Sequence, residues 1–333
     1  MDRTTAEKEW LRRISGGKSA VPQRKPTSDQ TSDQSSSKSR PKPQPTAKKH
    51  GNGFGDIAGM EDLKQRVKEG FINVLQHRDL ADAYGIRPPS MLFYGPAGCG
   101  KTFFAEKMAE EVGIHFIKVV PDDLASTMVH GAQEKIGEVF KNAERHAPAL
   151  LFFDEFDAMV PRRTGNEYNQ HYDSEVNEFL CMLNHASDKG VYVLAATNHP
   201  ERIDKAVLRT GRIDELVYVD MPDHEARKSL FALELAKLPR EEDIDMDRLA
   251  HMTQGYNCSD INYIVKSAAR KKFNEAIGCG EHTLQNITQK QLEEIISGRS
   301  PSVSSRDLRE YQRVHREFSP KDKGGQPASI GFR

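Results

Sequence analysis

The eight residues Gly95-Pro96-Ala97-Gly98-Cys99-Gly100-Lys101-Thr102 constrain this chain more than any other segment. They follow four apolar residues, Met91–Tyr94, and lead into a helical stretch, Thr102–Glu111. The spacing is G-x-x-x-x-G-K-T, the pattern of a phosphate-binding loop between a strand and a helix. Glycines let the backbone wrap closely, so successive N–H groups point at phosphate oxygens. The N-terminus of the following helix adds the positive end of its dipole. Lys101 is then placed to reach β- and γ-phosphates, and Thr102 to ligate Mg²⁺. Pro96, Ala97, Gly98, Cys99 and Gly100 supply the backbone of the cradle.

Around this loop, short apolar runs alternate with helical stretches. The runs are Met91–Tyr94, His115–Val119, Leu150–Phe153, Tyr192–Ala196 and Leu216–Val219. The helical stretches include Glu61–Val74, Thr102–Glu111, Gln133–His146 and Ser174–Asn184. That alternation predicts an α/β fold, a parallel sheet with helices on both faces. After Pro222 the pattern is helical only: His224–Leu238, Asp247–Met252, Asp260–Ala276, Gln289–Ser297 and Arg306–Phe318. It predicts a small all-α domain. Residues 15–50 are rich in Ser, Gln, Lys and Pro and lack the apolar groups that would offset ordering entropy. The expected division is a disordered basic arm over 1–52, an α/β domain over 53–221, an all-α domain over 222–318 and a flexible tail over 319–333. Within the arm, Thr5–Ile14 carries the only tryptophan, Trp10, beside Leu11 and Ile14. It reads either as a short helix that docks a partner, substrate or membrane surface or as a frayed terminus, because ten residues make a marginal helix.

Charge separates the parts. The whole chain has 48 Lys+Arg and 49 Asp+Glu. Residues 1–50 hold 12 basic and 5 acidic side chains, which leaves 36 against 44 in the remainder. An acidic body argues against a nucleic-acid partner, whose footprint is an excess of Lys and Arg. No run of about 18 apolar residues is present, so no transmembrane helix is expected. Charges at Asp2, Arg3, Glu7, Lys8 and Glu9 argue against a secretory signal. The four cysteines form no C-x-x-C pair, which predicts free thiols and a reducing, cytoplasmic setting. The 12 histidines show no metal-ligand spacing.

Three further motifs carry chemistry. Leu150-Leu151-Phe152-Phe153-Asp154-Glu155 is a buried strand ending in two carboxylates. Ligands of open α/β sheets bind at that edge. Asp154 is placed to hold Mg²⁺ through water, and Glu155 to polarise an attacking water as a general base. Asp157 and Asp56 read by default as solvated surface groups. The strand ending Ala195-Ala196-Thr197-Asn198 presents a neutral amide that can donate to a γ-phosphate or to the water. Taken alone, Asn198 could equally start the His199-Pro200 turn. Leu208-Arg209-Thr210-Gly211-Arg212 places two arginines three apart in a loop. Guanidinium groups suit phosphate recognition, and surface salt bridges are the plainer reading.

In this order and spacing, the motifs resemble those of AAA ATPases of the group that includes katanin, spastin and valosin-containing protein. The resemblance runs from about Phe54 to Phe318. Phe54-Gly55-Asp56-Ile57-Ala58-Gly59 is similar to the family's F-x-D-I-x-G entry motif, which implies Asp56, Ile57 and Ala58 as adenine-side contacts. Ala195–Asn198 matches the sensor-1 strand. Leu208–Arg212 matches L-R-x-G-R, with Arg209 and Arg212 acting on a neighbouring subunit. Gly255-Tyr256-Asn257-Cys258-Ser259-Asp260-Ile261 resembles the lid motif G-[FY]-S-G-[AS]-D-[IL], implying Cys258 and Ser259 near the nucleotide. Ser302-Val303-Ser304 through Tyr311 resembles the family's C-terminal helix. The resemblance places a central pore loop at Thr127-Met128-Val129-His130, with Met128 and Val129 facing a threaded substrate. Methionine stands where an aromatic is usual, which implies a softer grip; ordinary loop packing is the plainer reading of Met128. Cys258 replaces the lid glycine. Cys99 replaces a threonine, and its place near a helix N-terminus predicts a lowered thiol pKa and reversible oxidative inhibition.

The resemblance implies a P-loop NTPase core with a lid, ATP and Mg²⁺ as ligands, and a homo-oligomeric ring, a hexamer. The expected function is ATP hydrolysis coupled to remodelling or unfolding of a protein substrate or complex. The alternative is a nucleotide-controlled assembly switch that hydrolyses slowly and threads nothing.

Overall fold

The computed structural model describes residues 51–124, 131–162, 179–209, 211–278 and 284–318. The Trp10 segment, the pore-loop residues Met128 and Val129, Thr210 and the tail from residue 319 lie outside the described residues.

Five strands form one parallel sheet: β1 (Met91–Tyr94), β2 (His115–Val119), β3 (Ala149–Phe153), β4 (Val191–Thr197) and β5 (Glu215–Tyr218). Their order is β2-β3-β4-β1-β5. Every residue of β1, β3 and β4 is buried, as parallel strands covered on both faces require. The five apolar runs read from the sequence match these strands to within one residue at each end. In register, Leu151 faces Val193 and Phe153 faces Ala195, while Met91 faces Leu194 and Tyr94 faces Thr197. The ends of β1, β3 and β4 therefore lie side by side.

Strand residues alternate between two cores because successive side chains point to opposite faces. Leu92, Leu151, Phe153, Val193 and Ala195 pack with Ile136, Phe140 and Ala143 of α3 (Gly131–Arg145) and with Phe179 and Leu183 of α4 (179–186). Phe153 and Phe179 meet edge to face, with centroids 4.9 Å apart. Met91, Phe93, Leu150, Phe152, Leu194 and Ala196 pack on the other face with Phe104, Ala105 and Met108 of α2 (Lys101–Val112). Each fully buried apolar side chain of this size contributes roughly 1.5–3 kcal/mol. The helices thus cover both faces of the α/β core, as in P-loop NTPases.

The stretch expected as one helix over Glu61–Val74 is interrupted. It begins as α1 (Glu61–Val67), widens into a π turn at Lys68–Ile72 and ends as Asn73–Gln76. The wide turn lets the adjacent Phe71 and Ile72 both bury. Periodicity alone could not show this.

The C-terminal region is helical: α5 (His224–Leu235), α6 (Met246–Met252), α7 (Cys258–Gly278), α8 (Gln289–Ser297) and α9 (Ser305–Phe318). It has its own core of Phe231, Leu235, Leu249, Ile261, Ile264 and Leu292. Side-chain caps start all five of these helices: Asp223 accepts from the Ala226 N–H, Asp245 from Arg248, Asn257 from Asp260, Thr288 from Gln291 and Ser304 from Asp307. Buried Arg227 donates to the Pro222 carbonyl at 2.8 Å and to the Ala250 carbonyl at 3.0 Å. It ties the first residue of this region to α6. Among the described residues no helix is long and apolar enough to cross a membrane.

Candidate functional site

The site forms where β1, β3 and β4 end. The loop leaves β1 at Gly95, whose φ is 143° and where an added Cβ would lie 2.2 Å from the Val219 carbonyl oxygen. At Gly98 φ is 76° and an added Cβ would meet Asn257 Nδ2 at 2.4 Å. Both positions require glycine. Helix α2 begins at Lys101, as the motif predicts. Lys101 is buried and its Nζ donates to the carbonyls of Gly95 at 2.9 Å and Pro96 at 2.8 Å. Burial pushes its pKa down to about 8, against the opposing pull of Asp154.

Asp154 stands one residue past β3. Thr102 Oγ1, at the start of α2, donates to Asp154 Oδ2 at 3.1 Å. Lys118 of β2 places its Nζ 2.7 Å from the same oxygen. Hydroxyl and carboxylate oxygens are the donor set Mg²⁺ takes. The Lys118 ammonium shows that positive charge is already accommodated there, so these residues fit the ion. Glu155 follows in a left-handed conformation, φ 52°, one of two such non-glycine residues among those described. That geometry costs of order 1 kcal/mol or more, and it turns the chain sharply at the sheet edge into the short helix Phe156–Met159.

Thr197, the last residue of β4, is buried. Its hydroxyl donates to Asp157 and accepts from the His199 N–H at 2.8 Å. Asp157 is therefore a structural acceptor rather than a merely solvated carboxylate, which corrects the sequence expectation. The Thr197 bonds fix the chain on either side of Asn198. The Asn198 amide has no partner among the described residues and is half-buried.

The two arginines differ. Arg212 Nη1 donates to the Ala206 carbonyl at 2.7 Å. Arg209 is exposed, with no side-chain partner among the described residues. Asp214 accepts from the Gly211 N–H at 2.9 Å and, through its other oxygen, from Ser90 at 3.1 Å, anchoring this loop to the chain before β1.

On the adenine side expected from the resemblance, Asp56 pairs with Lys107 of α2 at 2.8 Å. The Lys107 hydrogen bond holds the Asp56 pKa below its usual value. Its carboxylate therefore serves to fix the segment, and the default reading of a solvated group is corrected here too. The Ile57 side chain is buried in the core and its carbonyl accepts from Lys64 Nζ at 2.8 Å. Ala58 is half-buried beside it. From the C-terminal region, the Ser259 N–H donates to the Gly98 carbonyl at 3.1 Å. Cys258 precedes it, and burial raises its thiol pKa to about 11.

Cys99 overturns an expectation. Its side chain is fully buried, 3.6 Å from Met221 Sδ. Burial pushes the thiol up to about 12. The helix N-terminus favours the thiolate, but desolvation is the larger effect. The predicted lowered pKa is wrong for this site.

Several contacts were not read from the sequence. Lys118 lacks any motif. Asn257 is 2% exposed, and its Nδ2 donates to the Ala97 carbonyl at 3.0 Å and to Ser302 Oγ at 3.0 Å. Buried Asp260 pairs with Arg299 at 2.8 Å and accepts from the Ser302 N–H and hydroxyl. In α9, His315 stacks on Tyr218 with centroids 4.2 Å apart and hydrogen-bonds the Tyr94 hydroxyl at 2.9 Å. The lid and C-terminal motifs marked these neighbourhoods; partners so distant in sequence gave no further signal.

Residues 91–221 match the ATPase family associated with various cellular activities (AAA). That span contains the phosphate loop, Asp154, Glu155, Asn198, Arg209 and Arg212. The chain is 33% identical over 273 residues to a cell division cycle protein 48 homolog of Archaeoglobus fulgidus, covering 79% of this chain and 37% of that protein. It is 33% identical over 241 residues to a putative cell division cycle ATPase of Plasmodium falciparum, covering 72% of this chain and 19% of that protein. The chain thus spans well under half the length of either relative. With the sheet order, the loop and the carboxylates in place, the match leads to one conclusion: the chain carries a domain of the AAA ATPase family.

Proposed function

We propose that this chain binds ATP with Mg²⁺, hydrolyses the β–γ phosphoanhydride and couples the cycle to remodelling or unfolding of a protein substrate. The observation that carries the proposal is the Thr102–Asp154 pair at 3.1 Å, with Glu155 next in the chain. It sets an oxygen pair for a cation and a second carboxylate beside the loop that cradles phosphate. Mg²⁺ bound there would neutralise charge on the β- and γ-phosphates. In this reading Lys101 exchanges its loop carbonyls for phosphate oxygens. Glu155 takes the proton of the attacking water. Asn198 donates to the γ-phosphate or orients that water. Asp56, Ile57 and Ala58 flank adenine on one side, Cys258 and Ser259 on the other.

The exposed side chain of Arg209, without a partner among the described residues, supports action on a neighbouring subunit, with Arg212 beside it. We therefore propose a ring of identical subunits, a hexamer, acting in the cytoplasm. Each subunit would comprise an α/β unit over 53–221 and a lid over 222–318, with Met128 and Val129 meeting the substrate. The similarity to a protein named a putative cell division cycle ATPase supports the ATPase part of this reading.

The test is ATP-dependent unfolding of a tagged fluorescent substrate by wild type, Glu155→Gln and Met128→Ala. The proposal expects unfolding by wild type, none by Glu155→Gln and a reduced rate for Met128→Ala. ATP turnover with no unfolding by any variant would favour the assembly switch. Unfolding unchanged in Met128→Ala would overturn the pore-loop assignment.

A further inference from the structure

Four consecutive carbonyls of the phosphate loop already have donors. Lys101 takes those of Gly95 and Pro96. Asn257 takes that of Ala97 at 3.0 Å, and the Ser259 N–H takes that of Gly98 at 3.1 Å. In a trans peptide the carbonyl and the N–H point to opposite sides. Holding the Ala97 carbonyl toward α7 therefore turns the Gly98 N–H the other way. Holding the Gly98 carbonyl does the same for the Cys99 N–H. Successive N–H groups turned to one side are what an anion cradle consists of.

The two sets of donors behave differently. Lys101 has to leave its carbonyls to meet a phosphate. Asn257 has no such demand, and its side chain is locked from several directions. Nδ2 also donates to Ser302 Oγ, and Oδ1 accepts from the Asp260 N–H at 2.8 Å, capping the start of α7. Asp260 is held in turn by Arg299 and Ser302. The contact with the loop also depends on Gly98, where any Cβ would strike Asn257. Serine, the residue that the lid motif leads one to expect here, can cap α7. Its hydroxyl is one bond too short to keep a hydrogen bond to Ala97.

We propose that Asn257 is a positioning residue for the phosphate site: it holds the Ala97 peptide so that the Gly98 N–H faces the phosphates. This makes nucleotide affinity depend on how the C-terminal helical region is seated on the loop. The inference rests on the reading that this loop binds nucleotide.

The test measures ADP affinity, with Mg²⁺, by calorimetry on the full chain, and the melting temperature without nucleotide. Asn257→Ser keeps the helix cap and loses both Nδ2 contacts, to the Ala97 carbonyl and to Ser302 Oγ. It is expected to weaken ADP binding about 5- to 20-fold, the worth of roughly one buried hydrogen bond, and to lower the melting temperature less than Asn257→Ala does, because the cap is kept. Asn257→Ala loses the cap as well and is expected to lower affinity and melting temperature together. An ADP affinity within twofold of wild type in Asn257→Ser overturns the inference. So does a loss of affinity in that variant matched by a fall in melting temperature as large as that of Asn257→Ala, since that marks a purely structural role. Wild type that binds no ADP overturns this inference and the ATP reading together. Wild type that binds ADP but turns over no ATP overturns the hydrolytic reading alone, and Asn257→Ser still decides this one.

Discussion

The ammonium of Lys101 lies 2.8 Å from the Pro96 carbonyl, folded back onto the loop that carries it. With its pKa depressed to about 8 by burial, this lysine is partly neutral in mildly alkaline solution. Phosphate oxygens favour the charged form and raise that pKa. Above pH 8, nucleotide binding should therefore take up close to one proton, and affinity should fall about tenfold per pH unit. Below about pH 7 the site is already protonated and the dependence vanishes. Calorimetry at pH 9 in two buffers of different ionisation enthalpy measures the uptake. Equal heats in both would contradict the assignment.

The burial of Cys99 makes a second prediction. With its pKa raised to about 12, the thiolate fraction at pH 7 is about 10⁻⁵. Brief peroxide treatment should leave Cys99 unmodified while exposed Cys181 reacts, as mass spectrometry would show. Oxidation of Cys99 ahead of Cys181 would mean that the loop opens more readily than its packing implies.

Asp260 is 1% exposed and paired with Arg299, which is 30% exposed. Arg299→Ala strands the carboxylate, and breaking a buried pair of this kind costs about 3 kcal/mol, at the low end of the usual range because Arg299 is partly hydrated. The same partners hold the Asp260 pKa below its ordinary value. Its stabilisation is thus present above the unfolded pKa near 4 and is lost as pH falls through the lower folded value. Thermal melts at pH 7 and at pH 3 should show the variant losing most at pH 7, with the gap narrowing in acid.

Arg209 predicts complementation. Arg209→Ala retains its loop, and Lys101→Ala retains its arginine. Each alone should lose at least 10³-fold in ATP turnover, as expected for an arginine finger or a loop lysine. Mixed, they should recover part of it, because an intact arginine then faces an intact loop across a subunit boundary. No recovery over a range of mixing ratios would place Arg209 outside any shared site.

Much of this arrangement was legible in the sequence. The strands read clearly because parallel strands buried on both faces are continuous apolar runs, as in Leu150–Phe153. The loop read clearly because its glycines answer a local backbone demand. What stayed hidden is set by tertiary contact. Asn257 stands in the sequence only as part of the lid motif, and its grip on Ala97, 160 residues away in sequence, follows only from the seating of α7. The Cys99 pKa was misread because sequence shows the helix terminus but not the burial that outweighs it. Asp157 reads as solvated because the Thr197 hydroxyl that meets it arrives from β4, 40 residues on in sequence.

In the proposed reaction Glu155, beside the Thr102–Asp154 pair, drives hydrolysis of ATP bound at the Gly95–Thr102 loop. Phosphate release from Mg²⁺–ATP by wild type and Glu155→Gln tests it most directly, with ATP binding measured in the same samples. Turnover in Glu155→Gln is expected to fall about 10²- to 10⁴-fold, the usual worth of a general base, with binding retained. Turnover in Glu155→Gln equal to that of wild type would contradict it.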